Sequence, residues 1–151
     1  MCRHYQTLKD AELMLKKFGV TRPGVLGKYA MRLRYQGVFV RRPLEHDCDE
    51  AVPELEAVTG QGGLISVSTH PDALAGAEKG STFNARDDRG TNAFTFRNAR
   101  RRARLRITPT DAISEFDWRS GKAVATRFSP GPTAPQDVAG LWDRYRESAG
   151  Q

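Results

Sequence analysis

The sequence predicts one strand-rich α+β domain, and three features carry that expectation. A capped amphipathic helix lies near the N-terminus, several short alternating segments follow, and Gly/Pro-rich turns separate them. No internal repeat and no long linker divides residues 1–151, so the chain reads as a single domain. With 38% hydrophobic and 9% aromatic residues, 151 residues suffice for one buried core.

The helix is read from Thr7 and Asp10 as a T-x-x-D box, with Leu8, Ala11, Leu15 and Phe18 at helical spacing before Gly19. Residues 21–28 form a loop. Residues 35–41 alternate around Val38 and Val40 and make a strand ended by Pro43. A short strand near 54–59 precedes a break at Gly60-Gln61-Gly62-Gly63. Pro71-Asp72 opens a short helix over 71–79, and 94–103 is a second helical stretch. Residues 105–107 are extended. Two further strands, 113–118 and 122–128, meet at the hairpin connection Arg119-Ser120-Gly121-Lys122. A loop over 130–135 leads to the closing segment 138–146.

Lys+Arg 24 against Asp+Glu 18 gives a net charge of +6, a balance that favours polyanionic partners. Arg97, Arg100, Arg101, Arg102, Arg104 and Arg106 form the densest cluster, read equally as phosphate contacts or as a solvated face. No apolar run approaches the ~20 residues that span a bilayer. Charges interrupt the first 18 residues throughout, unlike a signal peptide. A cytoplasmic protein, nucleoid-associated when bound to DNA, is the expectation, with no membrane partner.

The two cysteines do not make a disulfide framework. Cys48 sits in Glu45-His46-Asp47-Cys48-Asp49-Glu50, which lacks paired metal-ligand spacing and reads as an acidic loop. No metal and no organic cofactor is expected. Cys2 follows the initiator methionine directly. Loss of Met1 would leave its thiol beside a free α-amine, and these titrate near ~8.5 and ~8. Such a vicinal aminothiol condenses with an aldehyde: the amine forms an imine, and the thiol then closes a ring.

Four segments then resemble one family in the same order. Met1-Cys2-Arg3-His4-Tyr5 opens the chain. Phe83-Asn84-Ala85-Arg86-Asp87 carries an N-A-R triplet. Residues 105–116 match a family segment at Ile107, Pro109, Asp111 and Glu115, and Ala139-Gly140-Leu141-Trp142-Asp143 follows. The chain is thereby similar to the SOS-response-associated peptidase (SRAP) family. The resemblance implies a fold around a distorted β-barrel. It also implies an abasic-site sensor that binds single-stranded DNA and makes a covalent thiazolidine crosslink through Cys2. In that reading Asn84 holds the cysteine and its α-amine, while Glu115 shuttles protons during imine formation and autocatalytic removal of Met1. Hydrolase, protease and lyase chemistry all follow from these steps. Arg86 and Arg3 are expected near phosphates, Trp118 and Phe116 are candidates for base stacking, and Trp142 is assigned to the core.

The departures from the family are specific. Gly62 stands where its members have a tryptophan, Ser114 and Phe116 replace the aromatic pair around the glutamate, and Arg106 replaces a cysteine. Family members continue past A-G-L-W into an H-x-R-M-P segment, whereas His4, His46 and His70 all lie upstream here. The expectation is therefore a SRAP-type domain lacking its C-terminal strands. The alternative is a catalytically impaired paralogue that binds nucleic acid reversibly. A thiol hydrolase acting on foreign peptides finds no His/Asp arrangement to activate Cys2.

Overall fold

A computed structural model describes residues 4–24, 27–44, 54–80, 82, 85, 92–131 and 136–145. These fold as a strand-rich α+β structure. In chain order they comprise β1 (His4–Thr7), α1 (Ala11–Phe18), β2 (Ala30–Met31), β3 (Gln36–Arg41) and β4 (Glu56–Gln61). A 3-10 turn (Pro71–Ala73), α2 (Leu74–Lys79), α3 (Phe94–Arg101), β5 (Leu105–Asp117), β6 (Val124–Phe128) and β7 (Gln136–Leu141) follow.

All described strands join one antiparallel sheet organised by β5. One edge of β5 carries β3 at Arg106–Ile107 and then β1 from Thr110 to Ser114. The other edge carries β7 from Leu105 to Thr110 and then β6 from Ile113 to Asp117. Thirteen residues thus hold four neighbours, and two half-sheets, β7-β5-β3-β4 and β6-β5-β1-β2, diverge from a shared strand. The sheet is not closed into the expected barrel: β2 and β4 end the path of hydrogen-bonded strands.

The sequence placed two separate strands at 105–107 and 113–118, but β5 is continuous. Pro109 lies within it, where the half-sheets part, and a β-bulge follows. Gln6 pairs with Ala112 and Thr7 with Thr110, leaving Asp111 as the extra residue on β5. Proline is tolerated in a sheet at such irregular positions.

Thr7 is not a helix cap, because it ends β1. Asp10 caps α1 instead, accepting from the N–H groups of Glu12 and Leu13 at 2.9 and 3.0 Å. Gly19, at φ 66°, closes the helix with its N–H on the Leu15 carbonyl at 2.8 Å. Replacing Asp10 with alanine should cost about 1 kcal/mol in a urea titration, with the sheet signal unchanged in shape. A loss below about 0.3 kcal/mol would show that the cap carries no weight.

The core lies between α1 and one sheet face. Val38 and Val40 point to that face and pack with Leu8, Met14 and Val20, flanked by Ile107 and Ala57. Strand alternation then sends Phe39 and Arg41 to the opposite face. The strand β4 runs through Gln61, so the predicted break at Gly60 begins two residues later. Helix α3 ends at Arg101, short of the predicted 103, and Ala103 has φ 49°. Arg34, itself at φ 67°, donates to the carbonyls of Glu78 and Ala77 (both 2.8 Å) and Gly63 (3.2 Å). It thereby caps α2 and ties it to the turn after β4. Burial pulls the Arg34 guanidinium below its ordinary range, and nearby Glu78 opposes that shift.

Candidate nucleic-acid interface

The sheet face opposite α1 forms a groove of about 830 Å³. Tyr5, Phe39, Arg41, Arg106 and Thr108 rise from β1, β3 and β5, and Val138 and Gly140 come from β7. Leu64 and Ile65, Phe96 and Arg100 of α3, and Trp142 to Tyr145 after β7 also line it. Arginine and aromatic side chains therefore share one concavity. Guanidinium forks suit phosphate oxygens, and aromatic faces suit unstacked bases.

Trp142 organises one end. It is 8% exposed, as its core assignment requires. Its ring lies 4.0 Å from the Arg41 guanidinium and 5.0 Å from that of Arg104. Its N–H donates to the Arg104 carbonyl at 3.0 Å, closing β7 onto the start of β5. Arg104 pairs with the buried carboxylate of Asp143. Burial first, and then crowding by Arg102, Arg144 and Arg41, hold the Arg104 guanidinium below its usual range.

Cys2, Arg3, Asn84 and Arg86 lie outside the described residues, as does Cys48. Their chain neighbours do not. Tyr5, three residues after Cys2, lines the groove, and so does Ala85, which stands between Asn84 and Arg86. The segment Ala139–Asp143 lines it too.

Glu115 is half-buried near the far end of β5 and is not part of this lining. Its facing is nevertheless set by the bulge. Tyr5 is the direct partner of Ile113 and Thr7 of Thr110, so Arg106, Thr108, Thr110, Ile113 and Glu115 share Tyr5's face. Strict period-two alternation counted through Asp111, with no bulge, would put Glu115 on the other face.

Trp118 is 65% exposed in the β5–β6 turn, away from the groove. Phe116 is also exposed and projects from the face opposite Glu115. Beside Trp118, Arg119 donates to Asp117 at 2.6–3.0 Å. Those bonds hold the Asp117 carboxyl below its usual range and push Arg119 up.

Sequence reasoning missed Phe39, Arg41 and Thr108 as groove residues, and named Arg106 within the arginine cluster and as a departure from the family. The available signal was the alternation that set Phe39 and Arg41 against Val38 and Val40. Among the described residues no three His, Cys, Asp or Glu side chains gather to hold a metal ion. No described helix is long and apolar enough to cross a membrane.

No protein-family model and no curated protein matches the chain. A crystal structure of a Bordetella bronchiseptica protein, solved in a structural genomics programme, does match. Identity is 49% and the TM-score 0.84, over 99% of this chain and 67% of that one. The chain belongs to the same family as this Bordetella protein. Such identity over nearly the whole chain means that the sheet, its central strand and the groove-forming segments belong to a fold common to both. The Bordetella protein also has chain that this one does not cover.

Proposed function

We propose that this protein captures abasic sites in single-stranded DNA through Cys2, as a SRAP-type domain of distorted-barrel ancestry. One observation carries the reading: Tyr5, Ala85 and Ala139–Asp143, drawn from three motif segments, line the same arginine- and aromatic-rich groove. Chance would not bring sequence-distant motif neighbours to one concavity fit for a nucleic-acid strand.

The chemistry begins once Met1 is removed and the Cys2 α-amine is free. That amine adds to the aldehyde of a ring-opened deoxyribose, and water leaves as the imine forms. The Cys2 thiol then adds to the imine carbon, its proton passes to nitrogen, and the ring closes as a thiazolidine. Asn84 holds the amine and thiol without titrating, since an amide both donates and accepts. Glu115 carries the protons of the amine-addition and water-loss steps. Arg3 and Arg86 hold flanking phosphates, and Trp118 offers an exposed ring where the strand leaves the domain.

The test pairs a single-stranded oligonucleotide carrying one abasic aldehyde with the same strand after borohydride reduction. A band surviving denaturing electrophoresis should form only with the aldehyde. Equal bands from both strands, or none from either, would end the covalent reading. Salt-sensitive binding without any band would favour reversible nucleic-acid recognition, the reading that Glu115's absence from the groove lining supports.

A further inference from the structure

The register of β5 sets two cations against each other. Arg41 of β3 and Arg106 of β5 are direct antiparallel partners. Direct partners project from the same face with Cβ atoms roughly 4.5–5.5 Å apart, and like charges so placed destabilise a sheet. Arg41 is partly compensated. Its side chain is 10% exposed, and its Nε donates to Glu56 Oε1 at 2.8 Å.

Arg106 has only neutral partners among the described residues. Its Nε donates to the Leu141 carbonyl at 3.2 Å and its Nη1 to Thr108 Oγ1 at 2.8 Å. Its guanidinium lies 5.3 Å from the Phe39 ring. Gly140, the cross-strand partner of Arg106 on β7, leaves the space for it: a Cβ there would stand 3.0 Å from Arg106 Nε. Arg100 and Arg144 line the groove as well, and Asp143, the one carboxylate among its described lining residues, pairs with Arg104.

Two guanidinium forks from directly paired positions line one groove, and the repulsion between like charges so placed is a cost that an anion would remove. We propose that Arg41 and Arg106 form an oxyanion site for a phosphate group, either a phosphodiester of single-stranded nucleic acid or free phosphate. Planar guanidinium forks match tetrahedral oxyanions in geometry and charge. The site does not depend on covalent chemistry at Cys2.

The experiment uses the full chain with Cys2→Ala, so that covalent capture does not enter, in a buffer without phosphate or sulfate. Inorganic phosphate should raise the melting temperature of this protein by mass action. Adding Arg106→Gln should raise the melting temperature in phosphate-free buffer, because the like-charge pair is gone, and should abolish the phosphate-induced rise. A residue with a merely structural role would not move these two readings in opposite senses. Gly140→Ala in place of Arg106→Gln keeps every charge but crowds Arg106, and should also abolish the phosphate-induced rise. The source of the phosphate is read from binding of an undamaged single-stranded oligonucleotide. If a phosphodiester occupies the site, Arg106→Gln lowers the slope of log affinity against log salt by about 0.7. An unchanged slope, with the parent's phosphate-induced rise still lost in the Arg106→Gln protein, assigns the site to free phosphate. No rise with phosphate in the parent, or an equal rise in the Arg106→Gln protein, would overturn the proposal.

Discussion

Cys2→Ala will abolish the denaturant-resistant complex with abasic single-stranded DNA while leaving reversible binding within about twofold. In the proposed chemistry the side chain supplies the ring-closing thiol, and the substitution leaves untouched the groove arginines proposed to carry the electrostatic share of binding. The alanine variant keeps its α-amine after methionine removal, so a transient imine still forms. Without a thiol that imine hydrolyses, unless borohydride reduces it to a stable amine. The expected pattern is therefore no band without reductant and a band with it. Cys2→Ser should behave in the same way, because a hydroxyl is a poorer partner for the imine carbon than a thiolate. Crosslinking by Cys2→Ala at the parent rate without reductant would show that another nucleophile does the work.

Trp142→Ala should destabilise the fold by about 3–5 kcal/mol, the range for removing a buried aromatic from a core. Trp142 is 8% exposed, and its ring lies against two guanidiniums, those of Arg41 and Arg104. Removing it deletes two cation–π contacts, each worth about 0.5–2 kcal/mol, and opens the end of the groove. The Arg41 and Arg104 charges would then lose the ring that both contact. Chemical denaturation followed by far-UV circular dichroism reads the loss, and Trp142→Phe should keep a substantial part of the stability. A change below about 1 kcal/mol for the alanine variant would mean that the ring is not a structural anchor.

Local chemistry made some of this fold legible in the sequence. Asp10 and Gly19 bracket α1 because a short acceptor and a left-handed residue suit its two ends. The alternation of Val38 and Val40 predicted β3, and Gly121, at φ 76°, sits in the predicted hairpin turn. Other features depend on pairing between distant segments, which no local pattern records. β1 is only four residues long and reads His-Tyr-Gln-Thr, so Thr7 looked like a helix cap. Pro109 and the bulge at Asp111 disguised one long strand as two short ones.

The site divides along the same line. Motif resemblance picked out Cys2, Asn84, Arg86 and Glu115 by their neighbours in sequence. Arg41 and Arg106 become partners only through the β3–β5 register. In the sequence Arg106 stands out as one of a cluster of arginines and as a charge where the family has a cysteine, but its pairing with Arg41 is not visible there. Trp118 was proposed as a base-stacking residue because it is aromatic, and its position at an exposed turn separates it from the groove that Trp142 closes.

The most direct test of covalent capture is the intact mass of the product formed with an abasic oligonucleotide. The account predicts a species equal to the methionine-free protein plus the DNA strand less one water, with the attachment mapped to Cys2 after proteolysis. A product that retains Met1, or an attachment mapped to a lysine side chain, would contradict it.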